Sequence, residues 1–115
     1  PHHCIWHWKC SLMVDNLIKK WQSRFKIKDW QITTERIKPE QIEYNGEDYF
    51  VGIVRDFKNK KGIIYHDIDL DEESIVHELL HVKNPKKDED WVNMVTNQLL
   101  KNERKSIKDI GRNKI

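Results

Sequence analysis

Residues 71–85 read DEESIVHELLHVKNP, and the pattern H-E-x-x-H runs through the middle of this stretch. Side chains four residues apart project from the same face of an α-helix, so a helix would bring the imidazoles of His77 and His81 to one metal ion. Glu78 would lie beside them as a general base, which is the arrangement of a zincin site. The alternative is that both histidines are partly buried polar residues that hydrogen-bond to carbonyl groups.

The residues around the motif predict a helix from about Asp71 to Lys83. Asp69 or Asp71 can cap its start, and the acidic residues that follow suit the positive end of the helix dipole. Pro85 disfavours a helical conformation at Asn84, so the helix should end there. The apolar residues on either side of the histidines would bury the helix in a core, namely Ile75, Val76, Leu79 and Leu80.

A catalytic zinc site usually has three protein ligands and one open position for water, so a third ligand is needed. A second helix is predicted from about Asp88 to Lys101, because Trp91, Val92, Val95 and Leu99 form an apolar stripe. Glu89 opens this helix and shares a face with Asn93, so we take Glu89 as the third ligand. Asp88, Asp90 and Glu103 remain alternatives, and an acidic residue in a first turn also stabilises a helix without binding anything.

The rest of the chain predicts an α+β fold. An amphipathic helix from about Ser11 to Phe25 should be followed by a strand within Trp30–Ile37. A hairpin should then join a strand at Tyr49–Arg55 to one at Gly62–His66 across a polar turn. The expected order is therefore an N-terminal helix, a small three-stranded sheet, the helix that carries HELLH and a C-terminal helix with Glu89.

HELLH together with the nearby E-x-x-V-N at Glu89–Asn93 resembles the minigluzincins, a family of minimal soluble zinc metallopeptidases. The resemblance covers most of the chain, from about Met13 to Leu100. It implies hydrolysis of peptide bonds, with Zn²⁺ bound by His77, His81 and Glu89. It also implies that Glu78 is the general base and acid, and that Asn93 supports a metal ligand.

The resemblance further implies that a peptide or protein substrate binds in extended form along an edge strand. The Tyr49–Arg55 strand is the expected counterpart, although it can also be a plain structural strand. A complete site would need a group that stabilises the oxyanion, and no motif identifies one. Tyr65, His66 and Arg104 are the available residues.

Composition restricts the class of protein. The 115 residues fit one small domain, and 37% hydrophobic residues with five Trp can form a core although 35% of the residues are charged. The 21 basic and 19 acidic residues give a net charge of +2, which does not argue for a nucleic-acid partner. No apolar run has the length of a membrane span, so we expect a soluble, cytoplasmic protein without a membrane partner.

The two ends differ from the predicted catalytic domain at residues 13–100. Residues 1–12 hold three His and two Cys, and they are either added, non-native sequence or a pro-segment that blocks the zinc. A separate metal site or a Cys4–Cys10 disulfide is also allowed. The basic tail at residues 101–115 is either a disordered end or a segment that covers the cleft, since Gly111 and Asn113 weaken a helix.

Three functional classes follow from the sequence. The first is a zinc peptidase, in a latent form if a terminal segment inhibits its own site. The second is a zinc-stabilised binding or regulatory domain without catalysis. The third is a scaffold that binds no metal.

Overall fold

The computed structural model describes residues 2–38, 40 and 49–113, with side chains described at 12–38, 40 and 49–104. The elements, in chain order, are α1 (His2–Arg24), β1 (Gln31–Arg36), β2 (Val51–Asp56), β3 (Lys61–His66), α2 (Glu72–Lys83) and α3 (Glu89–Asn113). This arrangement confirms the predicted α+β fold and its order of helix, sheet and two helices.

The sheet is mixed, with β3 in the centre. β3 pairs in antiparallel fashion with β2, which confirms the predicted hairpin, and in parallel fashion with β1. Gly62 on β3 lies opposite Ile32 in this register, and an added Cβ there would come within 2.9 Å of the Ile32 side chain and 3.3 Å of the Ile53 side chain. Glycine at position 62 therefore lets two isoleucines from the outer strands meet over the central strand.

The core lies between the three helices and one face of the sheet. Its fully buried side chains come from all of these layers: Trp21, Ile64, Ile75, Leu79, Val76, Val92 and Thr96. Trp21 anchors α1 to α2, since its indole Nε1 donates to Glu72 at 2.8 Å. In the described part of the chain, each helix lacks either the length or the apolar character that a membrane-spanning segment requires.

Both outer helices are longer than the sequence predicted. α1 begins at His2 and not near Ser11, because residues 2–24 contain neither proline nor glycine and nothing interrupts the helix. α3 continues to Asn113, so its predicted end near Lys101 is wrong. Residues 101–110 lack proline and half of them are good helix formers, and a single glycine costs only about 1 kcal/mol in a helix.

Two predictions lie outside the described side chains. The Cys4–Cys10 disulfide and the placement of a His or Cys from residues 1–11 on a metal both depend on side chains that precede residue 12. Whether residues 1–12 are added sequence or a pro-segment is likewise not tested by the structure.

Candidate metal centre

The ends of α2 are fixed by local hydrogen bonds. Asp71 is the N-cap, with extended backbone at φ −102° and ψ 175°, and its carboxylate accepts a hydrogen bond from the Ser74 backbone N–H at 2.8 Å. At the other end the Asn84 N–H donates to the Leu80 carbonyl at 2.8 Å, and Pro85 follows. These caps confirm the predicted bounds to within one residue, and they set the helix with its apolar stripe in the core and both histidines half-buried at its edge.

The start of α3 is fixed in a similar way. The side chain of Asp88 accepts a hydrogen bond from the Trp91 backbone N–H at 2.9 Å, so Asp88 acts as the capping residue. Val92, one turn into the helix, is fully buried in the core. The cap and this buried anchor orient the first turn of α3 so that Glu89 turns back towards α2.

Glu89 meets both histidines. Its Oε2 lies 2.9 Å from His77 Nε2 and its Oε1 lies 2.8 Å from His81 Nε2, while the two Nε2 atoms are 3.3 Å apart. The histidine side chains are 20% and 15% exposed, and that of Glu89 is 67% exposed, so the cluster opens to solvent on the α3 side. His77, His81 and Glu89 form a group that could hold a metal ion.

The donor set fits a tetrahedral ion. Bonds of about 2.0 to 2.1 Å place two tetrahedral ligand atoms about 3.3 Å apart, which matches the separation of the two Nε2 atoms. The Glu89 oxygens lie a few tenths of an ångström closer than that, and the exposed side chain of Glu89 can withdraw by this amount. Protons on the two Nε2 atoms would donate to the two Glu89 oxygens, at 2.9 and 2.8 Å, whereas without these protons the nitrogen lone pairs and the carboxylate converge on one point that suits a cation.

Glu78 is a buried carboxyl group next to the cluster, with only 5% of the residue exposed. Burial raises the pKa of Glu78 to about 8, and the negative charge of Glu89 adds to the shift while the positive charge of Arg55 opposes it. Burial also lowers the pKa of His81, although the charge of Glu89 acts in the opposite direction. A lowered pKa favours the neutral imidazole that a metal ligand must be.

The alternative third ligands lie elsewhere. Among the described residues the metal-capable group contains Glu89 and neither Asp88 nor Asp90. Glu103 contacts Lys20 and accepts a hydrogen bond from Arg24 Nη1 at 2.6 Å, which ties α3 to α1. Asn93 is exposed, and in the part of the chain with described side chains no hydrogen bond joins it to the three clustered residues.

The structure does not bring the three suggested oxyanion-stabilising residues to the cluster. Tyr65 follows the fully buried Ile64 on β3, so its side chain faces the side of the sheet away from the helices. The Nδ1 of His66 lies 2.6 Å from the Ile68 carbonyl oxygen, and this histidine lines a pocket of about 710 Å³ at the start of α2. Arg104 lies about 22 Å along α3 from Glu89, at 1.5 Å per residue.

Arg55 is the residue near the cluster that sequence reasoning missed. It lies on β2, and its Nη1 donates a hydrogen bond of 2.7 Å to the main-chain carbonyl of His81. The strand pattern contained a signal, because Val51 and Ile53 pack against the core and Arg55 is next in that alternation. Arg55 is itself exposed, and its long side chain reaches from this strand to the end of the HELLH helix.

No protein-family model matches the chain, and neither does any curated protein or solved structure in the comparisons made. The resemblance to the minigluzincins therefore stays a prediction from HELLH, from E-x-x-V-N and from the order of the elements.

Proposed function

We propose that this chain is a zinc-dependent peptidase of the minimal gluzincin type, with His77, His81 and Glu89 as metal ligands and Glu78 as general base and acid. One observation carries the proposal: two imidazole nitrogens and a carboxylate converge within 3.3 Å of one another, beside a buried carboxyl group. An ordinary surface ion pair does not need two histidines or a buried acid next to it.

The chemistry of the donor set supports zinc over Ca²⁺ and Mg²⁺. Two neutral imidazoles with one carboxylate are a ligand set of catalytic zinc sites, whereas Ca²⁺ and Mg²⁺ prefer oxygen ligands alone. Three ligands leave one position of a tetrahedron open. When bound, zinc polarises a carbonyl group and lowers the pKa of water to about 7.

Glu78 is suited to move the proton. Its carboxylate accepts a proton from the attacking water as the new C–O bond forms, and returns that proton to the amine nitrogen as the C–N bond breaks. Burial biases the carboxyl towards the protonated form, and the nearby positive charges of Arg55 and a bound cation act in the opposite direction. Because burial raises the pKa of Glu78 and the positive charges lower it, the pKa stays near the range in which one group can both accept and deliver a proton.

The position of β2 supports a peptide as the substrate. In the described part of the chain β2 pairs with β3 on one side only, so its other edge offers backbone N–H and C=O groups. This strand packs next to α2 and contacts it through Arg55. An extended peptide added to this edge would run past the HELLH helix, as in other cases of strand addition.

The second class, a zinc-stabilised binding or regulatory domain, is favoured by one observation. None of Tyr65, His66 and Arg104 adjoins the cluster, so those groups are not in place to stabilise an oxyanion. A site with ligands and a base but without this stabilisation would bind metal and lose much of its catalytic power.

The test combines metal content with turnover. Zinc is measured by elemental analysis after dialysis against metal-free buffer, and hydrolysis is followed with a mixture of quenched fluorescent peptides. The wild type should hold one zinc per chain, His77→Ala should lose it and Glu89→Ala should bind it more weakly. Glu78→Gln should retain zinc and lose about 100-fold or more in turnover, and the exposed Glu73→Gln on the same helix serves as a matched control.

Each outcome separates the classes. A wild-type chain without stoichiometric zinc would overturn the metal site, and zinc retained in His77→Ala would do the same. If both the full chain and a chain that begins at Met13 bind zinc but hydrolyse no peptide, the second class is supported: a zinc-stabilised binding or regulatory domain. Hydrolysis that appears only in the shortened chain would identify a self-inhibiting N-terminal segment.

A further inference from the structure

The carbonyl of His81 has no donor within its own helix. α2 ends at Lys83, so this carbonyl is one of the last four, which an α-helix leaves unsatisfied. In a continuing helix its donor would be the N–H of residue 85, but residue 85 is a proline and has none. Arg55 supplies the donor instead, through Nη1 at 2.7 Å.

We infer that Arg55 is a positioning residue that fixes the last turn of α2, and with it the ring of His81, against edge strand β2. This inference rests on the proposed metal site. Arg55 touches the main chain of a ligand and not the ligand atoms, so its expected effect is on the geometry and affinity of the site.

The guanidinium group is itself held in place. Its Cζ lies 5.4 Å from the ring centroid of Phe57, and that ring meets Trp30 edge-on at a centroid distance of 5.3 Å and an angle of 84°. The strand, the aromatic pair and the hydrogen bond therefore restrict the same side chain. A cation at the C-terminal end of a helix is also favoured by the helix dipole.

His81 is restricted from two directions as a result. Its ring nitrogen points at Glu89 on α3, and its carbonyl is bound by Arg55 on β2. Helix ends fray when their carbonyl groups lack partners, and His81 lies in the last turn of α2. Without Arg55, the turn could rotate and carry the ring nitrogen away from the point where the three donors meet.

The experiment compares Arg55→Met with Arg36→Met. Methionine keeps an unbranched side chain and removes every N–H donor, and Arg36 is an exposed arginine on the other edge strand, paired with Asp69 at 2.7 Å. Zinc affinity is measured by competition with a chromophoric chelator, and the geometry of the site is measured by the visible absorption of the Co²⁺ form. Arg55→Met should bind zinc about 10-fold to 100-fold more weakly and change the cobalt bands, whereas Arg36→Met should do neither.

Wild-type affinity and an unchanged cobalt spectrum in Arg55→Met would overturn the positioning role and leave the proposed metal site intact. Equal weakening in Arg36→Met would also overturn it, because the loss would then be general. No zinc binding by the wild type would remove both proposals. If Arg55→Met does not fold, Arg55→Leu also removes every side-chain N–H donor, with a smaller apolar side chain. Weaker zinc binding by Arg55→Leu supports the role, and unchanged binding with unchanged cobalt bands overturns it.

Discussion

Replacing Glu78 with glutamine should remove a pH dependence from the stability of the metal-free protein. The carboxyl of Glu78 is buried, and burial raises its pKa from 4.5 to about 8. Between these two values the folded chain holds a proton at this site that the unfolded chain has released. The free energy of unfolding therefore falls as the pH rises through this range, and the loss is complete above the folded pKa.

The magnitude follows from the two pKa values. The slope is about 1.4 kcal/mol per pH unit well inside the range and decreases near pH 8, so the loss between pH 6.5 and pH 8 is about 1.5 kcal/mol. His81 acts with the opposite sign, because burial lowers its pKa and its contribution to stability is lost as the pH falls below 6.5. Most of the His81 contribution lies below pH 6.5, and the difference between the wild type and Glu78→Gln isolates the contribution of Glu78.

Urea unfolding at pH 6.5 and pH 8, in the presence of a chelator, provides the assay. The wild type should lose about 1.5 kcal/mol between these conditions, and Glu78→Gln should lose much less because glutamine does not titrate. Glu73→Gln, at an exposed position of the same helix, should behave like the wild type. Equal pH dependence in the wild type and in Glu78→Gln would refute the argument that Glu78 is buried in a protonated form.

Three further predictions concern the fold and the ligand set. Asp71→Ala removes the N-cap of α2 and should cost about 1 kcal/mol in urea unfolding, so an unchanged stability would contradict the capping role. Gly62→Ala should destabilise the sheet by about 1 to 3 kcal/mol through overpacking, because the new Cβ would contact the side chains of Ile32 and Ile53. A gain in stability would show that both side chains move aside freely. Zinc at 100 times its dissociation constant should add about 2.7 kcal/mol to the free energy of unfolding, and His77→Ala should abolish this gain; the same gain in the variant would place the ion elsewhere.

Local sequence signals predicted the helix of the site well. The N-cap at Asp71 and the stop at Pro85 are properties of single residues, and the structure contains both. Glu89 was predicted as the third ligand because it opens the second helix and shares a face with Asn93, and the structure places it against both histidines. The sequence left Asp88 open as a ligand, because an acidic residue that caps a helix and one that binds a metal look alike in a sequence. They differ only in the direction of the side chain, and the side chain of Asp88 caps α3.

What the sequence could not predict depends on long-range pairing. It indicated three strands, but the parallel pairing of β1 with β3 is decided by how the strands pack under the helices. Both α1 and α3 are longer than predicted, because residues 1–12 were set apart as added sequence or a pro-segment and Gly111 and Asn113 were expected to weaken a helix in the tail. Helix propensity without proline was enough to continue both helices.

Arg55 was missed for the same reason, because it is distant in the sequence from the residues that it contacts. The site therefore combines residues that are close in the chain with one that comes from a distant strand. The three clustered donors lie between His77 and Glu89, so two helices and one turn bring them together. A turn that contains Pro85 necessarily leaves the His81 carbonyl without its helical donor. The missing donor comes from β2, which is far away in the chain but adjacent in the fold. Pro85 thus has two effects. It ends the helix early enough for Glu89 to return to the histidines, and it leaves the His81 carbonyl without a helical donor, so that Arg55 on the sheet binds this carbonyl instead.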